Sequence, residues 1–488
     1  MTTITSTYKI QAMLNPDKIA IQTTSHAISN IEWHKIVCRT ANWLDSITDS
    51  NKTVGIFMPS SVAFLQLFTG AAMAGCVAAT FDAKWKTAEL DRRLAVSSPS
   101  VLITTQKLAK RLSNMDLNII IWEDAQRQIQ ENDSSWNKEI DGETPFYMGF
   151  TSGSTGVPKA FIRSHNSWVA SFSCTRNDFH VDETDYVIIP GALIHSHFLY
   201  GAVSSLYLGG TIYLMEDFSA VRVLEYIETF PVTVLYVVPT MIEAMLFEKR
   251  LVTKPLKIIS SGAKWEESSK RKIREQFLNL SMFEFYGASE LSYVTVLSDE
   301  ENKIHPGSVG KPCHNVELEI RNDNMKAVET GQIGKIFVRS SMVFLGYIHP
   351  QSRDIQSIHD KNGWVTVDDM GYLNDLGFLH IVGREKNMIL FGAVNIFPEE
   401  IETVLMAHPD VEEVAVVGVS DRYWGQIPIA VIKGNAPKKE LKKLCRENLS
   451  VYKQPRKWYF IDMLPHTTSG KIARVQTRQL IENEVERN

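Results

Sequence analysis

Cysteine is scarce and scattered in the 488-residue chain: there are five, at Cys38, Cys76, Cys174, Cys313 and Cys445, with no Cys-x-x-Cys pair. This spacing excludes a disulfide framework and a cysteine-rich metal site and fits a reducing compartment, so a cytoplasmic location is expected. An excess of one charge is also missing. Lys and Arg number 51 against 56 Asp and Glu, a net charge of -5, which leaves no electrostatic footprint for nucleic acid or an anionic membrane. The first ten residues lack the basic and apolar regions of a signal peptide. One apolar run is long enough to cross a bilayer, residues 62–81, without a charge. Gln66, Thr69, Gly70 and Gly75 dilute it, and Gly75 fits a helix end followed by a strand at 76–80, so the run reads as buried protein and no membrane span is expected.

The Walker phosphate loop is absent too. Gly-Lys occurs at 310–311, 334–335 and 470–471, and the residue five before each glycine is His305, Glu329 or Pro465, never a glycine. A different anion-binding stretch is present at Phe150, Thr151, Ser152, Gly153, Ser154, Thr155, Gly156, Val157, Pro158 and Lys159, immediately after an apolar run at 146–150 that reads as a strand end. Its hydroxyls and lysine offer donors, and its glycines let backbone amides approach a phosphate closely. A helix start just beyond would add a dipole worth roughly 0.3–1 kcal/mol per charge. The competing reading is a flexible Ser/Gly/Thr linker. Lys159, the stiffening Pro158 and the return of periodic sequence at 161–172 stand against it.

Elsewhere the chain alternates helical periodicity with short β-rich runs: 31–44, 53–58, 62–74, 77–81, 101–104 and 119–122. Such alternation implies a mostly parallel sheet covered on both faces. The polar residues 126–144 read as a surface connection. Further strands are expected at 186–189, 211–214, 234–238, 257–260 and 282–285. Between them lie His195 and His197, for which no third ligand stands at metal spacing, so a zinc site is disfavoured against a packed wall. Short alternating strands at 310–340 predict a small β-barrel or meander. A compact α+β segment closes the chain, with a helix opening at Pro398-Glu399-Glu400, strands at 414–419 and 427–432, and a helix at 438–448.

Five motifs in order then make a specific resemblance. The 150–159 loop is followed by Tyr286-Gly287-Ala288-Ser289-Glu290, by Trp364-Val365-Thr366-Val367-Asp368-Asp369-Met370-Gly371, by Gly383-Arg384-Glu385-Lys386-Asn387, and by Pro465-His466-Thr467-Thr468-Ser469-Gly470-Lys471-Ile472-Ala473-Arg474, and the small-residue turn Ser261-Gly262-Ala263 lies between the first two. Together they resemble the acyl-adenylate-forming superfamily, most of all a bacterial-type acyl-CoA synthetase. The resemblance implies an α/β protein with a large N-terminal domain, 1–383, built of parallel-type sheets and a small β-barrel, and a small mobile α+β domain, 384–488, hinged at 383–387. It implies that Thr151, Ser152, Gly153, Ser154, Thr155, Gly156 and Lys159 hold the phosphates of ATP. Gly262 and Ala263 would border adenine, Tyr286 would stack on it with Gly287 also at the nucleotide, and Ser289 would meet the α-phosphate. Glu290 would hold Mg2+, Asp369 would bind the ribose hydroxyls, and Arg384 would contact ribose or phosphate. Lys386 would be the pivot, His195 would line the acyl pocket, and Lys471 would be the catalytic lysine.

The implied chemistry is attack of a carboxylate on the α-phosphate, release of pyrophosphate, and transfer of the acyl group to the thiol of CoA. Two like charges meet in the first step, so positioning and charge neutralisation carry it. The C-terminal domain of such proteins swings about its hinge between the two half-reactions. The Phe-Asp-x-Ser that grips an amino group in amino-acid-activating members is missing near His195, which favours an apolar acid, a fatty acid first. Three departures stand out. Ser289 replaces threonine, keeping the hydroxyl. Val367-Asp368 replaces Thr-Gly, and Ala393 after Gly392 stands where glycine lines the CoA channel, in which Trp424-Gly425 fits the usual pattern. Two alternatives stay open: an adenylation protein loading the pantetheine of an acyl carrier protein, and a catalytically silent nucleotide-binding homologue. The oligomeric state is not encoded legibly.

Overall fold

The computed structural model describes residues 2–50, 52–112, 117–151, 159–262, 265, 267–391, 394–467 and 470–486, with side chains to 482. The chain forms two compact units, Met1–Leu318 with Val338–Val365, and Glu319–Phe337 with Thr366–Asn488. Compactness therefore assigns 366–383 to the C-terminal unit. A hinge is a matter of motion, so this division leaves 383–387 as a proposal.

The first unit holds two sheets. One has eight strands in the order Ile355–Gln356, Gly346–Ile348, Lys159–Ser164, Pro145–Thr151, Val77–Phe81, Thr53–Phe57, Val101–Thr104 and Ile119–Ile121. From Pro145–Thr151 to the Ile119 edge all pairings are parallel, and Thr53–Phe57 and Val101–Thr104 are buried at every position. Continuous apolar strands of this kind follow from having both faces covered. The uncharged run at 62–81 supplies one cover and one strand. Ser61 caps the helix Val62–Met73 by accepting from the Phe64 amide at 3.2 Å, and Gly75 turns the chain at φ +71 into Val77–Phe81. Among the described residues no helix is long and apolar enough to cross a membrane.

Two local expectations are corrected. The phosphate-loop stretch is not followed by a helix: Thr151 pairs with Lys159 across antiparallel strands, and the helix His165–Asn177 starts only after Lys159–Ser164. No helix dipole therefore stands at Lys159. The supposed surface connection begins as a helix, Trp122–Gln130, with Glu123 and Asp124 in its first turn and Trp122, Ala125 and Ile129 buried along one face. That i, i+3, i+7 stripe outweighs the polar composition.

The second sheet has nine strands, ordered Lys311–Pro312, Ser292–Ser298, Leu280–Ala288, Leu256–Ser260, Val234–Val237, Tyr186–Ile189, Thr211–Leu214, Ile19–Gln22 and Ala27–Ser29. Leu280–Ala288 runs parallel to Leu256–Ser260 and turns back antiparallel into Ser292–Ser298. Tyr286-Gly287-Ala288 thus ends a strand. A Cβ on Gly287 would lie 2.0 Å from the Ser292 carbonyl oxygen, so only glycine permits this approach.

In the second unit, Asp369–Leu373 pairs antiparallel with Leu379–Arg384 and, on its other side, with Gly334 and Lys335. Gly383 and Arg384 belong to the strand, and the charged turn is shorter than the sequence implies, Glu385–Asn387. Next comes a five-stranded sheet built on the long hairpin Val411–Asp421 and Gly425–Gly434. The helix Pro398–Met406, opening where the sequence places it, and Lys438–Asn448, at the bounds read from sequence, bury Ile401, Leu405 and Leu441 in one core with Val416, Ile429 and Val431.

Candidate active site

In the first unit the strand leaving the phosphate-loop stretch meets the end of the Tyr286 motif. Arg163, in Lys159–Ser164, is 1% exposed. Its Nη1 donates to the Ser289 carbonyl at 2.6 Å, its Nη2 to Ser292 Oγ at 2.7 Å and to the Met342 carbonyl, and its Nε to Ser167 Oγ at 3.3 Å. Burial pulls its pKa down to about 10, against the opposing pull of Glu290, so it remains a cation at neutral pH. Sequence reading passed over this residue: one arginine in the alternating run Phe-Ile-Arg-Ser carries no sign that it faces inward.

Glu290 is itself 7% exposed. The Tyr347 hydroxyl donates to its Oε1 at 2.9 Å, and the Phe344 amide donates to its main-chain oxygen at 2.8 Å. Lys159 Nζ lies 4.8 Å from the centre of the same Tyr347 ring. The structure therefore gathers Lys159 with Ser289 and Glu290, which lie more than a hundred residues beyond it in sequence, around Arg163 and Tyr347. Ser289 Oγ is 3.2 Å from Ser196 Oγ, which is 3.4 Å from the Tyr147 hydroxyl, a line of hydroxyls continuing inward.

The residues expected beside adenine converge as well. Gly262 takes φ +94 at the end of its strand, and the neighbouring Ser261 hydroxyl donates to the Phe285 carbonyl at 3.2 Å, placing that turn beside half-buried Tyr286. His195 is exposed just before the helix Ser196–Leu208. His197 turns inward instead: its Nε2 is 3.0 Å from the Val237 carbonyl, and Tyr236 and Phe285 pack around its ring. Burial holds its pKa down to about 4, so it is neutral at ordinary pH.

In the second unit Asp369 and Arg384 stand opposite each other in register, with Arg384 Nε 2.9 Å from Asp369 Oδ1. Lys386 is exposed on the following turn. Trp424 stacks on Phe391, the residue before Gly392, at 4.4 Å and 13°. Lys471 is exposed just after Gly470, which takes φ +79, and its amide donates to Thr467 Oγ1 at 3.2 Å. Ser152, Gly153, Ser154, Thr155, Gly156, Ala263, Gly392 and Ala393 lie outside the described residues.

The donor set fits a nucleotide-borne cation better than a resident metal. No group of three or more His, Cys, Asp or Glu that could hold a metal ion occurs among the described residues. Glu290 engages a protein partner among them only through Oε1, leaving Oε2 for a hard cation whose remaining ligands come from elsewhere. Phosphate oxygens and water satisfy that need.

Residues 8–348 match the model of the AMP-binding enzyme family, and 400–471 match that of the AMP-binding enzyme C-terminal domain. An uncharacterized acyl-CoA ligase, YhfT of Bacillus subtilis, is 48% identical over 99% of both chains. A 2-succinylbenzoate–CoA ligase of Geobacillus is 28% identical over 97% of this chain and 96% of its own. Among solved structures, o-succinylbenzoate CoA synthetase (MenE) from Bacillus subtilis in complex with its acyl-adenylate intermediate superposes with a TM-score of 0.88, at 27% identity over 96% of this chain and 97% of that one. The same protein with ATP and magnesium ion gives 0.87.

Proposed function

The chain belongs to the AMP-binding enzyme family, in its acyl-CoA ligase branch, and from that premise we propose that it activates a fatty or other apolar carboxylic acid with ATP and Mg2+ and passes the acyl group to CoA. The observation that carries this reading is the convergence of Lys159, Ser289 and Glu290 around Arg163 and Tyr347.

In this reading Lys159 and the 151–156 hydroxyls and amides hold the leaving pyrophosphate. The Glu290 carboxylate, fixed by Tyr347, holds the Mg2+ that neutralises the phosphates. The Ser289 hydroxyl donates to the α-phosphate. Asp369 accepts from the ribose hydroxyls, and its pairing with Arg384 fixes the orientation in which it does so. Lys471 supplies positive charge where the substrate carboxylate and the α-phosphate repel each other, the role a preorganised donor plays in such a step. No proton needs to move before the acyl-adenylate forms. The thiol of CoA then displaces AMP, with Gly392, Ala393 and Trp424 along its channel and Lys386 as the pivot of the swing between half-reactions.

An aromatic acid is the second reading. It is favoured by the 2-succinylbenzoate–CoA ligases among the relatives. The test is thioester formation, followed by mass spectrometry, with fatty acids of graded length and aryl acids such as 2-succinylbenzoate, each offered CoA and then a holo acyl carrier protein. A fatty acyl-CoA product supports the first reading, an aryl-CoA product the second. Transfer only to the carrier protein overturns the acceptor assignment.

A further inference from the structure

Resting on the proposed adenylation, we propose that Arg163 is the positioning residue that couples the phosphate-loop strand to the Mg2+ carboxylate. Three segments end at its guanidinium: its own strand, the corner carrying Ser289, Glu290 and Ser292, and the segment beginning at Met342. Each is tied to a second. Ser292 Oγ also donates to the Met342 carbonyl at 3.2 Å, the Leu345 amide donates to the Ile162 carbonyl at 2.9 Å, and the Phe344 amide donates to Glu290 O at 2.8 Å. Ser292 holds φ +62, a conformation that a residue bearing a Cβ keeps only where its surroundings fix it, and Arg163 is one of the groups fixing it.

Among the described residues no carboxylate bonds Arg163 directly; its donors go to main-chain carbonyls and serine hydroxyls. The carboxylate that compensates it is Glu290, whose field opposes the effect of burial on the guanidinium. The arrangement has two consequences for the metal site. The carbonyl immediately before Glu290 is pinned, which sets the backbone from which that carboxylate projects. A fixed positive charge also faces the field of Glu290, whose Oε1 accepts from the Tyr347 hydroxyl. Lysine, with a point charge and no planar fork, reproduces the charge but not the simultaneous grip on two carbonyls and two hydroxyls.

The experiment is calorimetric titration of ATP into the full chain with and without Mg2+, for wild type, Arg163→Lys and Arg163→Met, alongside thermal melting. The readout is the ratio of the two affinities. Wild type gains affinity on adding Mg2+; in Arg163→Met that gain falls by roughly 10- to 100-fold, the usual cost of losing a group that orients a metal-binding side chain, and Arg163→Lys recovers part of it. A ratio unchanged in both variants overturns the inference, as does an equal loss of affinity with and without Mg2+, which is what a merely structural arginine gives. If the methionine variant does not melt cooperatively, the lysine variant decides by the same ratio. Wild-type protein showing no gain from Mg2+ removes the proposed function and this inference together, an outcome separate from failure in the variants alone.

Discussion

Asp369 and Arg384 face each other across an antiparallel pair, with Arg384 Nε 2.9 Å from Asp369 Oδ1 while the aspartate is 5% exposed. Arg384 is nearly half exposed, so the pair contributes little to stability, about 0–1 kcal/mol. Its value lies in orientation. Asp369→Ala is expected to lower kcat/KM for ATP by roughly ten- to hundredfold, the equivalent of about 1.5–3 kcal/mol for hydrogen bonds to a charged acceptor. Arg384→Ala should give a smaller loss with an unchanged melting temperature. Steady-state kinetics with ATP varied at saturating acid and CoA checks both.

Tyr347 supplies a second prediction. Its hydroxyl is the only described side-chain partner of Glu290. Tyr347→Phe keeps the ring beside Lys159 and removes that donor, so the Mg2+ concentration for half-maximal adenylation should rise by about tenfold. Glu290→Gln should raise it further. Mg2+ titrations of pyrophosphate release measure both shifts.

The five motifs and their order were legible because each is local: a few residues at fixed spacing whose chemistry declares itself. The strand core was equally legible, since runs such as 53–58 and 101–104 are apolar throughout. Arg163 was not, because its burial is set by the Ser289 and Met342 carbonyls, more than a hundred residues away in sequence. The missing helix after the loop has a related cause. Lys159–Ser164 is a strand because it pairs with Pro145–Thr151 and Gly346–Ile348, and helical periodicity resumes only at His165. Gly383 and Arg384 looked like a turn by composition, yet pairing with Asp369 and Met370 extends the strand through them.

Acid lability follows from two buried histidines. His165 stacks on Phe146 at 4.7 Å, its Nδ1 accepts from the Ile4 amide at 3.3 Å, and burial lowers its pKa to about 3; His197 is lowered to about 4. Unfolded, both take up a proton near pH ~6.5. Stability is therefore full above about pH 6.5 and falls as pH drops, by about 2 kcal/mol per histidine between pH 6.5 and 5, with the His197 share fully lost near pH 4. His165→Asn, which keeps an acceptor for Ile4, should flatten the fall. Urea midpoints at pH 7.5 and 5 for both proteins test it.

Arg474 closes the second unit. It pairs with Glu402 at 2.5 Å and lies 3.4 Å from Glu399, which accepts from Asn387 at 2.9 Å. Glu402 sits where burial pushes its pKa up against the pull of Arg474. Arg474→Ala leaves that carboxylate stranded and should cost up to about 3 kcal/mol in urea unfolding. Combining it with Glu402→Ala should cost less than the two single changes added together.

The central claim is that the chain makes an acyl-adenylate with Lys471 as the stabilising charge, and ATP–pyrophosphate exchange in the presence of an apolar acid tests it most directly. Wild type should exchange label only when the acid is present, and Lys471→Ala should lose roughly 10²–10³-fold of that rate while still binding ATP. Exchange in Lys471→Ala within a few-fold of wild type would contradict the assigned role, and no exchange by wild type with any fatty, aryl or amino acid would contradict the function itself.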